Sequence, residues 1–416
     1  MKKVIIILFF VAGFMYGAYE DPLISTRGKG MGNAIFADFD SVNSMNYNPA
    51  CIGYAKNIET YFAWDTPYLG LNDDSMINTI NFNFVIPFWN KFTIGPDPYV
   101  TKDAALGIAV KRLSVVGMDI DDTSKEFYHE GLYSLIYAKN LNSLFQGARL
   151  AAGVRFNLYD IGVGNVIDVE NNPAFGGKLN TLSFGLDLGA TYYFSDNIVL
   201  GFAYKNLIAP NVSILPEGND VLPSEISLGG NIFLGDLFKF FKKSNLGFGA
   251  VIFGRDATDN RQSDMSWRIG YEFKQLTASQ LFKDSKYKDE MLAIRLGFNY
   301  EAKKVGDEFD LGIAKLKGIM NFSVGLGFNY VMSYSHLIGI DYAFEYGINM
   351  GSFRHNVSLT YKYLLPESAF AYKEELKKEK EFEELIQRKA EENTNKVESK
   401  KEEQPKKEEP KPKTKK

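Results

Sequence analysis

One cysteine, three histidines and three tryptophans are all that 416 residues supply of those types. A lone Cys51 excludes a disulfide framework, a zinc ribbon and an iron–sulfur site. No apolar run approaches the ~20 residues that a membrane-spanning helix needs, so a helical membrane protein is excluded. A basic excess is missing too. The chain has 47 Lys and Arg against 51 Asp and Glu, a net charge of −4, which argues against a nucleic-acid partner. What is abundant is glycine (37), phenylalanine (33) and tyrosine (24), in a chain whose mean hydropathy is slightly negative.

Charge is unevenly placed. Residues 366–416 hold 15 Lys and Arg and 14 Asp and Glu, so the chain reads as a sparsely charged, aromatic-rich body with a polyampholyte tail. At the other end, Lys2 and Lys3 precede an apolar run from Val4 to about Tyr16, followed by Gly17 and Ala18. That is the layout of a secretory signal peptide, here residues 1–18, and it predicts export. Cys51 lies too far along to be a lipoprotein anchor.

The body alternates with period two. Over 181–194, Leu182, Phe184, Leu186, Leu188, Ala190, Tyr192 and Phe194 share one face, opposite Thr181, Ser183, Gly185, Asp187, Gly189, Thr191 and Tyr193. The stretches 291–300 and 353–363 repeat the pattern. Successive strand residues point to opposite faces, so each segment has one apolar and one polar side. Fourteen such segments are predicted: 56–64, 79–89, 104–116, 131–140, 148–159, 181–194, 198–207, 224–234, 246–254, 265–273, 290–300, 320–331, 336–346 and 353–363. Most are near the ~9–11 residues with which a tilted strand crosses a bilayer.

A soluble sandwich would bury the apolar faces, whereas a transmembrane barrel turns them to lipid and the polar faces to the lumen. Aromatics close many strands (Phe88–Trp89, Tyr192–Phe194, Tyr361 and Tyr363), which suits interfacial girdles. The polar faces carry Arg149, Arg155, Asp187, Lys205, Arg268, Glu272, Arg295 and Asp341, expected to line the lumen and pair by sign. Closure also satisfies every backbone group, which an open sheet of this size does not. The fold class expected is an all-β, fourteen-stranded antiparallel transmembrane barrel over 56–365. The shortest connections, 195–197 and 332–335, are even-numbered, as periplasmic turns should be if both barrel termini are periplasmic.

Residues 19–55 do not alternate. They read Gly30-Met31-Gly32-Asn33-Ala34, then Ala37 and Asp40, then Asn48-Pro49-Ala50. This pattern resembles the N-terminal hatch of FadL-type outer-membrane channels and their PorV/PorQ-like relatives. Ile338–Phe344 followed by Gly351–Leu359 resembles the last hairpin of the PorV/PorQ-like group. The resemblance implies a fourteen-stranded barrel with an N-terminal plug. It also implies an outer-membrane location in a diderm bacterium, with outer-membrane lipid and the barrel-assembly machinery as partners. Two functions follow from it: passive uptake of hydrophobic or small amphipathic solutes, with a hydrophobic ligand in the lumen, or a PorV-like, non-transport role in secretion or surface assembly.

Candidate chemistry is scarce. His129 in a predicted external loop, His336 at a short turn and His355 near a strand end have no partner at ligand or triad spacing. Asp73–Asp74 and Asp119, Asp121 and Asp122 read as solvated loop charge. No catalysis, cofactor or metal is expected. The tail, 366–416, is expected to be periplasmic: a marginal helix over 368–391, then a disordered Lys/Glu/Pro segment. It is either a tether to a periplasmic or cell-wall partner or a solvated extension.

Overall fold

The computed structural model describes residues 25–38, 41–68, 76–88, 104–118, 124–142, 149–164, 180–215, 218–234, 244–253, 263–277, 291–303, 308–310, 315–333, 335–347, 352–363 and 365. The expected signal peptide, Asp40, the loop aspartates at 73–74 and 119–122, and the tail lie outside them.

Fourteen long strands make the wall: β1 Ile58–Tyr68, β2 Met76–Phe88, β3 Ala104–Met118, β4 Ser124–Asn140, β5 Leu150–Val163, β6 Asn180–Ser195, β7 Ile198–Ile208, β8 Glu225–Phe233, β9 Asn245–Phe253, β10 Ser263–Thr277, β11 Met291–Lys303, β13 Lys315–Ser333, β14 His336–Gly347 and β15 Ser352–Tyr363. Among the described residues, a three-residue strand, β12 (Glu308–Asp310), pairs only with β13. Each long strand pairs antiparallel with its neighbours in sequence, and the sheet closes where β1 meets β15. The result is a closed, fourteen-stranded antiparallel barrel.

Closure puts the two faces of each strand in different solvents. On β6, Gly185, Asp187, Gly189 and Thr191 are buried, while Phe184 is 72% and Leu182 61% exposed. The same holds around the wall, where Trp64, Leu135, Phe156, Trp267, Leu296, Phe322, Ile340 and Val357 all face outward. A continuous apolar belt of this extent is stable against lipid and not against water. His355 and His336 belong to this outer surface, each ring nitrogen 2.7 Å from a tyrosine hydroxyl (Tyr342 and Tyr361).

All fourteen predicted segments are strands, but several run further than their apolar alternation. β4 begins at Ser124 rather than 131 and β13 at Lys315 rather than 320. Over those added residues the backbone ladder continues although the apolar alternation does not. His129 therefore stands on β4 and not in a loop.

Residues before β1 lie inside the wall. Ser25 caps a short helix, Thr26–Gly30, its hydroxyl accepting from Gly28 N–H. Just beyond the helix, Gly32 and Asn33, with φ values of +58° and +61°, turn the chain. A second short helix, Ser41–Ser44, and a 3-10 helix, Pro49–Tyr54, follow. Asn48 caps the latter by accepting from Ala50 N–H, and Pro49 occupies the first turn, where its missing N–H costs nothing.

Candidate functional site: the plug and its seat

The plug presents backbone, not side chains, to much of the wall, and the wall answers with glycine. A Cβ at Gly297 of β11 would strike the Gly32 nitrogen, and one at Gly270 of β10 the Met31 carbonyl. Gly247 on β9 similarly meets Ala34, Gly201 on β7 meets Phe36, and Gly153 on β5 meets Pro49. Cross-strand register places Gly247 opposite Gly270 and Gly270 opposite Gly297, so the glycines form a shallow track. The plug follows it from β11 and β10 at residues 31–32 to β9 at Ala34, β7 at Phe36 and β5 at Pro49.

Ion pairs fasten the plug's first turn. Arg27 donates to both carboxylate oxygens of Glu272, at 2.9 and 2.7 Å, and pairs with Asp38 within the plug. Glu272 also accepts from Arg295 at 2.7 Å and Lys274 at 2.9 Å, and Arg295 reaches Asp341. One buried carboxylate thus holds cations from the plug, β10 and β11. Lys29 donates to Asp65 and Asn356. Thr26 N–H donates to the Tyr61 hydroxyl at 2.8 Å, and Gly32 N–H to Ser323. Isolated ions in such a site would be prohibitively costly, so the pairing is what allows the charges to stay.

The later plug is held mainly by hydrogen bonds to backbone carbonyls. Asn48 donates its amide to the Phe36 and Ala190 carbonyls, Asn83 of β2 donates to the Val42 carbonyl, and Arg155 of β5 donates to the Asn46 carbonyl. Burial pushes the Cys51 thiol and the Tyr47 hydroxyl well above their ordinary ranges.

The predicted plug residues other than Asp40 are all buried in this seat: Gly30, Met31, Gly32, Asn33, Ala34, Asn48, Pro49 and Ala50. Of the predicted lumenal set, Arg155, Asp187, Lys205, Glu272, Arg295 and Asp341 are buried on the inner face, and Arg268 stacks over the Phe36 ring at 5.4 Å. Arg149 is a correction. It precedes β5, stands exposed at the short-turn rim, stacks on Tyr193 and pairs with Asp196. Its strand was expected to start at 148, but the ladder begins only at Leu150. Sequence reasoning missed Arg27, Lys29, Asp65 and Asn356, whose pairing spans 36 to 327 residues and leaves no local signal.

Two further features flank the plug. A polar cavity of about 500 Å³ opens at the rim beneath the 3-10 helix, lined by Tyr54, Lys56, Asn140, Asn142, Arg149 and Lys362 among others. At the opposite end the wall is interrupted. Pairing of β6 with β7 stops at Leu186 and Ile208, and among the described residues Asn180–Gly185 have no strand partner on that side. A bulge at Asn206, with φ +52°, turns the chain away. Asp187 accepts the Asn206 N–H at 2.7 Å, and the Asn206 side chain bonds Tyr159 and the Pro223 carbonyl. The connection after β7 then folds inward: Val212 and Leu222 are buried with Leu132, Tyr159 and Ile161 of the inner wall and Val42 and Met45 of the plug. An apolar cluster therefore lies directly behind the interruption.

His129 lies 3.7 Å from Glu126 and 3.6 Å from Asp160, but among the described residues no group of three metal-ligating side chains assembles.

No family model matches the chain, and no curated protein does. Among solved structures it is similar to the CymD monoaromatic hydrocarbon channel (13% identity, 82% of this chain and 97% of that one, TM-score 0.49). It is also similar to a Pseudomonas aeruginosa FadL homologue (15%, 82% and 98%, 0.46) and to the Pseudomonas putida toluene transporter TodX (12%, 81% and 97%, 0.43).

Proposed function

We propose that this barrel is an outer-membrane channel of a Gram-negative-type bacterium for passive uptake of hydrophobic or small amphipathic solutes, gated by the plug. The observation that carries the reading is the apolar cluster of Val212, Leu222, Leu132, Tyr159 and Ile161 behind the unpaired edge of β6. Beside that edge two strongly exposed apolar side chains, Leu182 and Phe184, face the bilayer. A solute dissolved in lipid passes from apolar surroundings to apolar surroundings there, without crossing the polar inner face. The plug blocks a straight path, so passage requires it, or the inward connection 209–224, to move.

Lipid is the partner of the outer belt, and barrel-assembly machinery the agent of its insertion. The tail is assigned to the periplasm. The hatch-like motif supports the same reading as the site. The test is uptake by proteoliposomes. A small aromatic solute should enter faster than into protein-free vesicles, and a charged hydrophilic solute of equal size should not. Equal entry of the aromatic solute into both kinds of vesicle would defeat the proposal.

A further inference from the structure

The closing contact of any barrel is the one between its first and last strands. Here β1 and β15 are nearly 300 residues apart, and their ladder runs from Ile58–Tyr363 to Thr66–His355. Loop closure over that length carries an entropic cost that no local turn offsets. Register also matters more here than elsewhere, because a one-residue slip would exchange the lipid and lumen faces of a strand.

At this seam Asp65 of β1 stands directly opposite Asn356 of β15. Both are buried on the inner face, at 3% and 4% exposure. The Lys29 ammonium of the plug donates to both, at 2.5 Å to Asp65 and 2.8 Å to Asn356. A single cation thus bonds both members of one cross-strand pair at the closure. One turn earlier, Thr26 bonds Tyr61, also on β1 and paired across the seam with Thr360. The helix Thr26–Gly30 therefore straddles the join. On its far side, Arg27 ties the same helix to β10.

We infer that the plug has a second function beyond gating: it is the clasp on which the barrel closes, with Lys29 holding the first and last strands in register. A slip of either strand would carry Asp65 or Asn356 away from the lumen and leave the ammonium without its paired site. The glycine track adds a geometric reason. The plug's backbone lies against β11, β10, β9, β7 and β5 with no side-chain clearance, so the wall forms around the plug and the plug is not threaded into a finished cylinder. This inference does not depend on what, if anything, the barrel transports.

Hydrogen exchange on the full chain refolded in detergent micelles tests it. Lys29→Met keeps the length of the side chain and removes the ammonium. Amides of β1 and β15 should then exchange at least about tenfold faster, while those of β4, β5 and β6 keep their rates. A double variant, Lys29→Met with Asp65→Asn, separates the clasp from the mere cost of a stranded charge. It should retain the fast seam, because the Lys29 link from the plug to the Asp65–Asn356 pair is still missing. Restoration of slow exchange in the double variant would overturn the clasp, as would an unchanged or uniformly faster pattern in the single one. A chain lacking residues 25–55 should refold to the closed, heat-modifiable form in much lower yield, and wild-type yield from it would also overturn the inference.

Discussion

Arg27 and Glu272, 245 residues apart in sequence, meet in a two-point ion pair inside the barrel, with side chains 2% and 0% exposed. The pair joins the plug to the middle of the wall. Glu272 serves three cations in all, so its removal strands more than one charge. Glu272→Gln is expected to lower stability by about 3–5 kcal/mol, the usual cost of breaking a buried pair from one side. Urea unfolding followed by the gel mobility of heated and unheated samples measures this. Loss of less than about 1 kcal/mol, the range of surface pairs, would show that the network is solvated.

The only cysteine reports on the plug without any engineering. Cys51 is fully buried, and burial, then the nearby Asp38 charge, raises its thiol well above the ordinary value of 9.0. In the folded protein it should resist a charged maleimide at pH 8, and label promptly after denaturation. The unfolded thiol ionises first, so the folded state holds the proton longer. The thiol's contribution to stability is full below pH 9 and is lost as pH rises towards the higher folded value. Tyr47, raised in the same direction mainly by burial, acts likewise from its ordinary value of 10.0. Unfolding midpoints should therefore fall on the alkaline side and not between pH 7 and 8.

The glycine track predicts the effect of adding side chains beneath the plug. Gly297→Val places a branched side chain where Gly32 nitrogen lies, and Gly201→Val one where the Phe36 carbonyl lies. Each should cost about 1–3 kcal/mol, as overpacking does. Each should also displace the plug enough to expose Cys51 to the maleimide. Folded barrels with Cys51 still protected would show that the plug has room these contacts deny.

Asp187 tests the interrupted wall. Its carboxylate accepts from Arg155 and Asn157 through one oxygen and from the Asn206 N–H through the other. Asp187→Asn keeps the shape but strands the Arg155 charge and weakens the bulge. Protease should then cut the 209–224 connection several times faster than in the wild type, by about tenfold if the bulge is the main anchor. Unchanged cleavage would assign the inward fold to the apolar packing of Val212 and Leu222 alone.

Much of this architecture was legible in the chain. Period-two alternation located every long strand, because lipid and lumen impose opposite demands on adjacent residues. It undershot β4 and β13, where Lys125, Glu126, Lys315 and Lys317 break the apolar rhythm of the sequence while the ladder continues through them. The motif around Gly30–Ala34 marked the plug, but Arg27 and Lys29 beside it were silent. Their partners are set by closure of the whole sheet, and no spacing within 20 residues encodes that. The wall interruption was equally hidden, since Asn206 falls at the end of a segment whose alternation up to Lys205 gives no sign of a bulge.

The central claim is that apolar solutes enter through the cluster behind β6. Uptake of a small aromatic solute by proteoliposomes carrying wild-type protein or Leu222→Asp tests it most directly. Leu222 is buried in that cluster, distant in the chain from every ionic anchor of the plug. The account predicts entry well above protein-free vesicles for the wild type, and a fall of about tenfold or more when a charge is buried at the entrance. Wild-type flux that survives Leu222→Asp in a folded barrel, or no flux at all in the wild type, would contradict it.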